Sequence, residues 1–189
     1  MLPLSADQKV TVLFTDLVDF IPLSERLSPT EVSLLLNRYF QETNEIIFRY
    51  NGTLDKYIGD AIMAIFGAPV EREDDPERAI LAALEMRQTM AKMGKEALPH
   101  RMLEIRLGIN TGTVVAGNFG SPRRMDYTVI GDVVNTASRL EKMAKRNQIL
   151  IGEGTFECVK DKFRIKKVGE KSVKGKKQSV TVYEVLGLL

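Results

Sequence analysis

Histidine, cysteine and tryptophan are nearly missing from this chain: one, one and none in 189 residues. With Cys158 alone there is no internal disulfide framework, which suits a reducing compartment. His100 stands alone in the polar stretch "KEALPHRM", so neither a Ser-His-Asp or Cys-His relay nor a His/Cys zinc site is expected. No G-x-x-x-x-G-K-[ST] occurs, which removes a Walker-type phosphate loop. "GEGTFE" has glycines but not the dinucleotide pattern, and reads as a helix-entry loop. No apolar run approaches membrane-spanning length, and the N-terminal "MLPLSADQKV" has no apolar core of a signal peptide. The expectation is a soluble, cytoplasmic chain; membrane attachment of a longer protein stays open. A net charge of +2 speaks neither for nor against an anionic partner.

What is present is an ordinary globular balance, 44% apolar and 28% charged, without repeats or low-complexity linkers. One domain over residues 1–189 is expected. Residues 9–15, "KVTVLFT", read as a buried strand ending at Asp16. In "SPTE", Ser28 is a ready N-cap, Pro29 fits N1 and Glu31 fits N3, so a helix should run from there to about Tyr50. Its apolar positions Val32, Leu35, Leu36, Tyr39, Phe40, Ile46 and Ile47 have helical spacing. "TLDKYI" and "AIMAIF", residues 53–58 and 61–66, meet at Gly59-Asp60 and read as a hairpin.

A second helix is expected with Asp75 as N-cap and Pro76 at N1, running to about Gly94 with Ala79, Ala83, Met86, Met90 and Met93 as its buried seam. Then "LEIRLGIN" and "TVVAGNFG" read as a strand pair joined near Thr111-Gly112. Residues 125–130 read as a short strand leading through Gly131-Asp132 into the helix "VVNTASRLEKMAKR". The tail reads as strands "QILIG" and "SVTVYEVL" with a lysine-rich segment between them. The order β-α-β-β-α-β indicates an α+β fold, an α/β sandwich with a ferredoxin-like core and additional C-terminal strands and helices.

In that core the strand ending at Asp16 and the hairpin carrying Asp60 are normally neighbours. Two hard carboxylates at one sheet edge suit Mg²⁺ or Mn²⁺ held together with substrate phosphates. On spacing alone, a solvated strand-end aspartate and a solvated turn aspartate are the more usual outcome. Lys56 by itself reads as a strand-edge lysine that discourages aggregation, and Asp55 as a solvent-facing charge beside it. Nine lysines and arginines lie between Lys160 and Lys177 against two acids. With no aromatic interleaving, this run reads as a solvated face, and no nucleic acid is expected as a partner.

Four blocks, "VTVLFTDLVDF", "GTLDKYIGDAIMAIFG", "EIRLGINTGTVVAGNFGS" and "DYTVIGDVVNTASRLE", occur in order and at suitable spacing. Together they closely resemble the catalytic domain of the class III nucleotide cyclases over about residues 8–186. The resemblance implies adenylate cyclase activity, ATP to 3′,5′-cyclic AMP and pyrophosphate. It implies two divalent metal ions per site, held by Asp16, Asp60 and the backbone carbonyl of Leu17. Such a pair stabilises the attacking and the leaving oxygen of an in-line displacement.

It also implies that Lys56 and Thr128 read the purine. Lysine only donates and so suits the N1 acceptor of adenine, while a threonine hydroxyl can accept from N6; guanine presents the opposite pattern. Asn135 and Arg139, four apart on one helix face, match the residues that orient the ribose and stabilise charge on the α-phosphate. Arg106 and Lys174 match positions that neutralise the β- and γ-phosphates. In the family the metal residues and the purine and transition-state residues come from opposite subunits. A head-to-tail homodimer with two equivalent sites is therefore expected, together with a fused or associated regulatory domain outside this chain.

The loop "DLVDFIP" departs from the family pattern D-[ILV]-x-G-F-[TS]. Asp19 stands where glycine is usual and Ile21 where a hydroxyl is usual. This departure motivates a second reading, a catalytically weak or inactive ATP-binding regulatory module. A diguanylate-cyclase-like enzyme needs a Gly-Gly-acidic hairpin turn, and "YIGDAI" does not supply it.

Overall fold

The computed structural model describes residues 5–97, 103–172 and 179–189. A strand β1 (Ser5–Leu17) is followed by the short helix α1 (Phe20–Ser24), helix α2 (Pro29–Arg49) and the hairpin β2 (Thr53–Ile58) and β3 (Ala61–Phe66). Helix α3 (Asp75–Ala97), strands β4 (Ile105–Ser121) and β5 (Arg124–Ile130), and helix α4 (Asp132–Met143) come next. The chain ends with β6 (Ile149–Gly152), α5 (Glu153–Val159), β7 (Phe163–Lys171) and β8 (Val180–Leu188). The sheet runs β2-β3-β1-β4-β6-β8-β7, with β5 pairing β4. Its first four strands, with α2 and α3, form the expected ferredoxin-like βαββαβ core of an α+β fold.

Local chemistry accounts for several boundaries. Ser28 caps α2 in a reciprocal capping box, its hydroxyl accepting from the Glu31 N–H while the Glu31 carboxylate accepts from the Ser28 N–H at 2.8 Å. The β2–β3 turn takes Gly59 at φ 63°, a left-handed conformation that glycine adopts without steric cost. Two apolar clusters cover the two faces of the sheet. One packs Leu13, Ile62, Ala64 and Phe66 against α2 and α3; the other packs Val10, Val12, Phe14, Met63 and Ile65 with Val129 and Ala137, beneath α4.

Three expectations are corrected. No turn interrupts Thr111-Gly112, because β4 runs unbroken from Ile105 to Ser121. The glycine serves packing instead, since a Cβ at Gly112 would lie 2.7 Å from Val133 Cγ2 of α4. Asp75 lies inside α3 rather than capping it, its carboxylate turned back to accept from the Arg72 N–H at 2.7 Å. The lysine-rich stretch includes the edge strand β7. Among the described residues, no helix is long and apolar enough to cross a membrane.

Candidate active site

Asp16 and Arg106 face each other directly across the β1–β4 ladder. Cross-strand partners share a face of the sheet, and here they form a bidentate ion pair. Arg106 donates from Nε to Asp16 Oδ1 at 3.0 Å and from Nη2 to Oδ2 at 2.6 Å. Asp60, at the β2–β3 turn, reaches the same edge, where its Oδ2 accepts the Leu17 N–H at 3.1 Å. The two carboxylates therefore converge at the end of β1, as the topology predicts, and Leu17 lies between them.

The electrostatics are those of a crowded acidic edge. Burial raises the Asp60 carboxyl above its ordinary value; its own backbone N–H and that of Leu17 oppose this, and the nearby Asp16 adds to it. Arg106 is held above its ordinary value, first by its hydrogen bonds to Asp16. A third acid, Glu141 of α4, also belongs here. Its side chain is 4% exposed, and its Oε1 has no hydrogen bond and lies 3.5 Å from Arg106 Nε. Burial first, and then Asp16, push its carboxyl up to about 8.

Glu141 was not among the residues expected from sequence. Its place depends on Gly108, where an added Cβ would meet the Glu141 nitrogen at 2.1 Å and the Ala137 carbonyl at 2.4 Å. Helix α4 lies directly on β4 at that point. The only local sign was an acid two residues after Arg139 on the same helix.

The donor set fits a small divalent cation. Two converging carboxylates repel each other, and Asp16 carries a bound guanidinium, a cation beside the place where a metal would relieve that repulsion. Among the described residues no group of three or more His, Cys, Asp and Glu forms a metal cage.

The remaining expected residues lie apart from this cluster. Lys56 is on β2, with its side chain about half exposed. Thr128 is on β5, and its Oγ1 is buried without a hydrogen bond. On α4, Asn135 is exposed and Arg139 half-buried, with no ion pair for Arg139 among the described residues. Lys174 lies outside the described residues. Asp55 is not solvent-facing: its side chain is 1% exposed, and this expectation is corrected.

In the departing loop, Asp19 has φ 54°, the left-handed conformation that the family's usual glycine would take most easily and that aspartate tolerates better than most residues. Its carboxylate is paired with Arg146, which also binds Glu104 at 2.7 Å.

Comparison with known proteins decides the family. The sequence profile of the adenylate and guanylate cyclase catalytic domain matches residues 2–187. The chain belongs to this family. The adenylyl cyclase CyaB of P. aeruginosa superposes with a TM-score of 0.92 at 39% identity, over 96% of this chain and 95% of that one. The catalytic core of a rhodopsin-guanylyl cyclase with converted specificity, solved with ATPαS, gives 0.88 at 33% identity over 99% and 100%. Adenylate cyclase 1 of Rhizobium meliloti is 34% identical over 96% of this cyclase-domain chain, which spans 28% of that protein's length. For the adenylate cyclase of Anabaena cylindrica the figures are 35%, 96% and 37%.

Proposed function

We propose that this chain converts ATP to 3′,5′-cyclic AMP and pyrophosphate at sites shared between two copies in a head-to-tail dimer. The observation that carries this reading is the split of the site. Arg106 clasps Asp16 and Asp60 holds the Leu17 N–H at one sheet edge, whereas Lys56, Thr128, Asn135 and Arg139 are exposed or unpartnered elsewhere. Ile58, Met125, Tyr127 and Ile130 lie close in sequence to Lys56 and Thr128 and are all more than 40% exposed. Exposed apolar residues beside these polar groups suit burial against a second copy.

Asp16, Asp60 and the Leu17 carbonyl would hold two Mg²⁺ or Mn²⁺ ions, which supply Lewis-acid stabilisation of the entering and leaving oxygens. The substrate's 3′-hydroxyl gives its proton to solvent water and its oxygen bonds to the α-phosphorus, while the bond from that phosphorus to the bridging oxygen breaks and pyrophosphate leaves with it. Arg106 exchanges its hold on Asp16 for the phosphates as they arrive, and Lys174 adds positive charge there. From the other copy, Lys56 donates to adenine N1 and Thr128 accepts from N6. Asn135 orients the ribose, and Arg139 stabilises charge on the α-phosphate oxygens.

The weak or inactive ATP-binding module rests on Asp19 and Ile21. Pairing of Asp19 with Arg146 removes part of its ground, because the extra carboxylate is already matched by a cation. The deciding assay measures cyclic nucleotide formation from ATP or GTP, with Mg²⁺ or Mn²⁺, over a range of chain concentrations. Cyclic AMP with specific activity rising on concentration is expected. Cyclic GMP in its place overturns the assignment of Lys56 and Thr128, and ATP binding without product supports the module.

A further inference from the structure

Strand β2 contains an extra residue. Leu54 pairs with Ala64, but Lys56 pairs with Met63, so Asp55 is inserted as a β-bulge. The consequence is a change of face. In regular register Lys56 would stand opposite Ile62, on the face packed against α2 and α3; the bulge sets it opposite Met63, on the face that carries Val129 and α4's Ala137. The next residue, Tyr57, is opposite Ile62 and turns to the α2 face, where it stacks on Phe40 at 4.2 Å.

Asp55 is the residue that makes the bulge, and its environment is unusual for a carboxylate. Its side chain is 1% exposed, and neither oxygen has a hydrogen bond. The ion pair recorded for it is with its neighbour, Lys56 Nζ, 3.3 Å from Oδ2. Burying a carboxylate is costly unless a cation compensates it, so the ammonium is drawn toward that buried anchor. A lysine head is otherwise a mobile point charge on a four-carbon stem. Held by one partner, it keeps further N–H donors for another acceptor.

We infer that Asp55 is a positioning residue for Lys56 and thereby sets the preference of the site for adenine over guanine; this rests on the reading of the site as a purine nucleotide cyclase. The bulge presents the lysine to the correct face, and the buried carboxylate fixes where its donors point. Asp55 itself touches no substrate.

The test compares kcat/KM for ATP and for GTP in the wild-type chain, Asp55→Asn, Asp55→Glu, Lys56→Ala and the Asp55→Asn/Lys56→Ala double variant. Asp55→Asn is expected to lower the ATP:GTP ratio about tenfold, the scale of one charge-assisted contact, mainly through KM for ATP. Asp55→Glu restores a carboxylate and recovers most of the preference. In the Lys56→Ala background the Asp55 substitution changes the ratio no further, the signature of two residues acting as one unit.

A merely structural role predicts an equal fall for both nucleotides, and that result, or an unchanged ratio, overturns the inference alone. A wild-type chain that makes no cyclic AMP, or that shows no preference for ATP, overturns the functional reading and the inference with it. Asp55→Ser carries the same comparison if Asp55→Asn does not fold.

Discussion

The edge around Asp16 and the surface around Arg139 hold comparable numbers of polar side chains in opposite states. At the first, the groups turn to one another within one chain: Arg106 clasps Asp16, Asp60 takes the Leu17 N–H, and Glu141 lies 3.5 Å behind Arg106. At the second, Thr128 Oγ1 is buried without a partner and Arg139 has no ion pair among the described residues. A protomer engages most of its acidic half by itself. The proposed shared site would complete the other half from a second copy.

The strongest way to break this comparison is to remove one half at a time. Arg139→Ala is expected to lower kcat by about 10³–10⁵, the scale for a guanidinium acting on a phosphoryl transition state, with the thermal midpoint and the dimer unchanged. Asp60→Asn should be inactive for a separate reason. Mixing the two inactive variants in equal amounts should restore about a quarter of wild-type activity, because half the dimers are mixed and each then has one intact site. No recovery on mixing would place both halves of the site within one chain.

A smaller effect is expected from the pH dependence of the acidic edge. Glu141 holds its proton up to about pH 8 in the folded chain, whereas an unfolded glutamate loses it near the ordinary value of 4.5. Between those values the folded state binds more protons than the unfolded state. Stability should therefore fall as pH rises through this window and level off above it. Thermal melts of the metal-free chain from pH 5 to 9 should show that decline, and Glu141→Gln should flatten it. A decline of unchanged slope in the variant assigns the dependence to another group. The smallest effect concerns Asp19. Arg146→Ala frees its exposed carboxylate, and KM for ATP should rise only a few-fold, because a solvent-exposed pair contributes little. The rise should shrink at high salt.

Much of the core was legible because its signals are local. The capping box at Ser28, the apolar spacing of α2 and the Gly59-Asp60 turn each lie within a few residues, and each appears where expected. Convergence of Asp16 and Asp60 followed from topology alone. The misses have a common physical source. Gly112 resembles a turn residue but is small for the sake of Val133, which lies in another element. Glu141 is buried because Gly108 lets α4 descend onto β4. Asp55 is enclosed because a single inserted residue shifts the parity of β2. Each depends on a contact or a register between distant segments, which neither spacing nor composition reveals.

The close approach at Gly108 also bears on motion. With no side chain between helix and strand, α4 has no soft layer on which to slide or roll over β4, and a tightly packed contact of this kind transmits displacement instead of absorbing it. Arg106 on the strand and Asn135 and Arg139 on the helix are thus mounted on one stiff unit. In the proposed two-copy site, adjustment of the cleft around a nucleotide would fall to the relative rotation of whole protomers, so that a turn of one copy against the other would throttle turnover without deforming either.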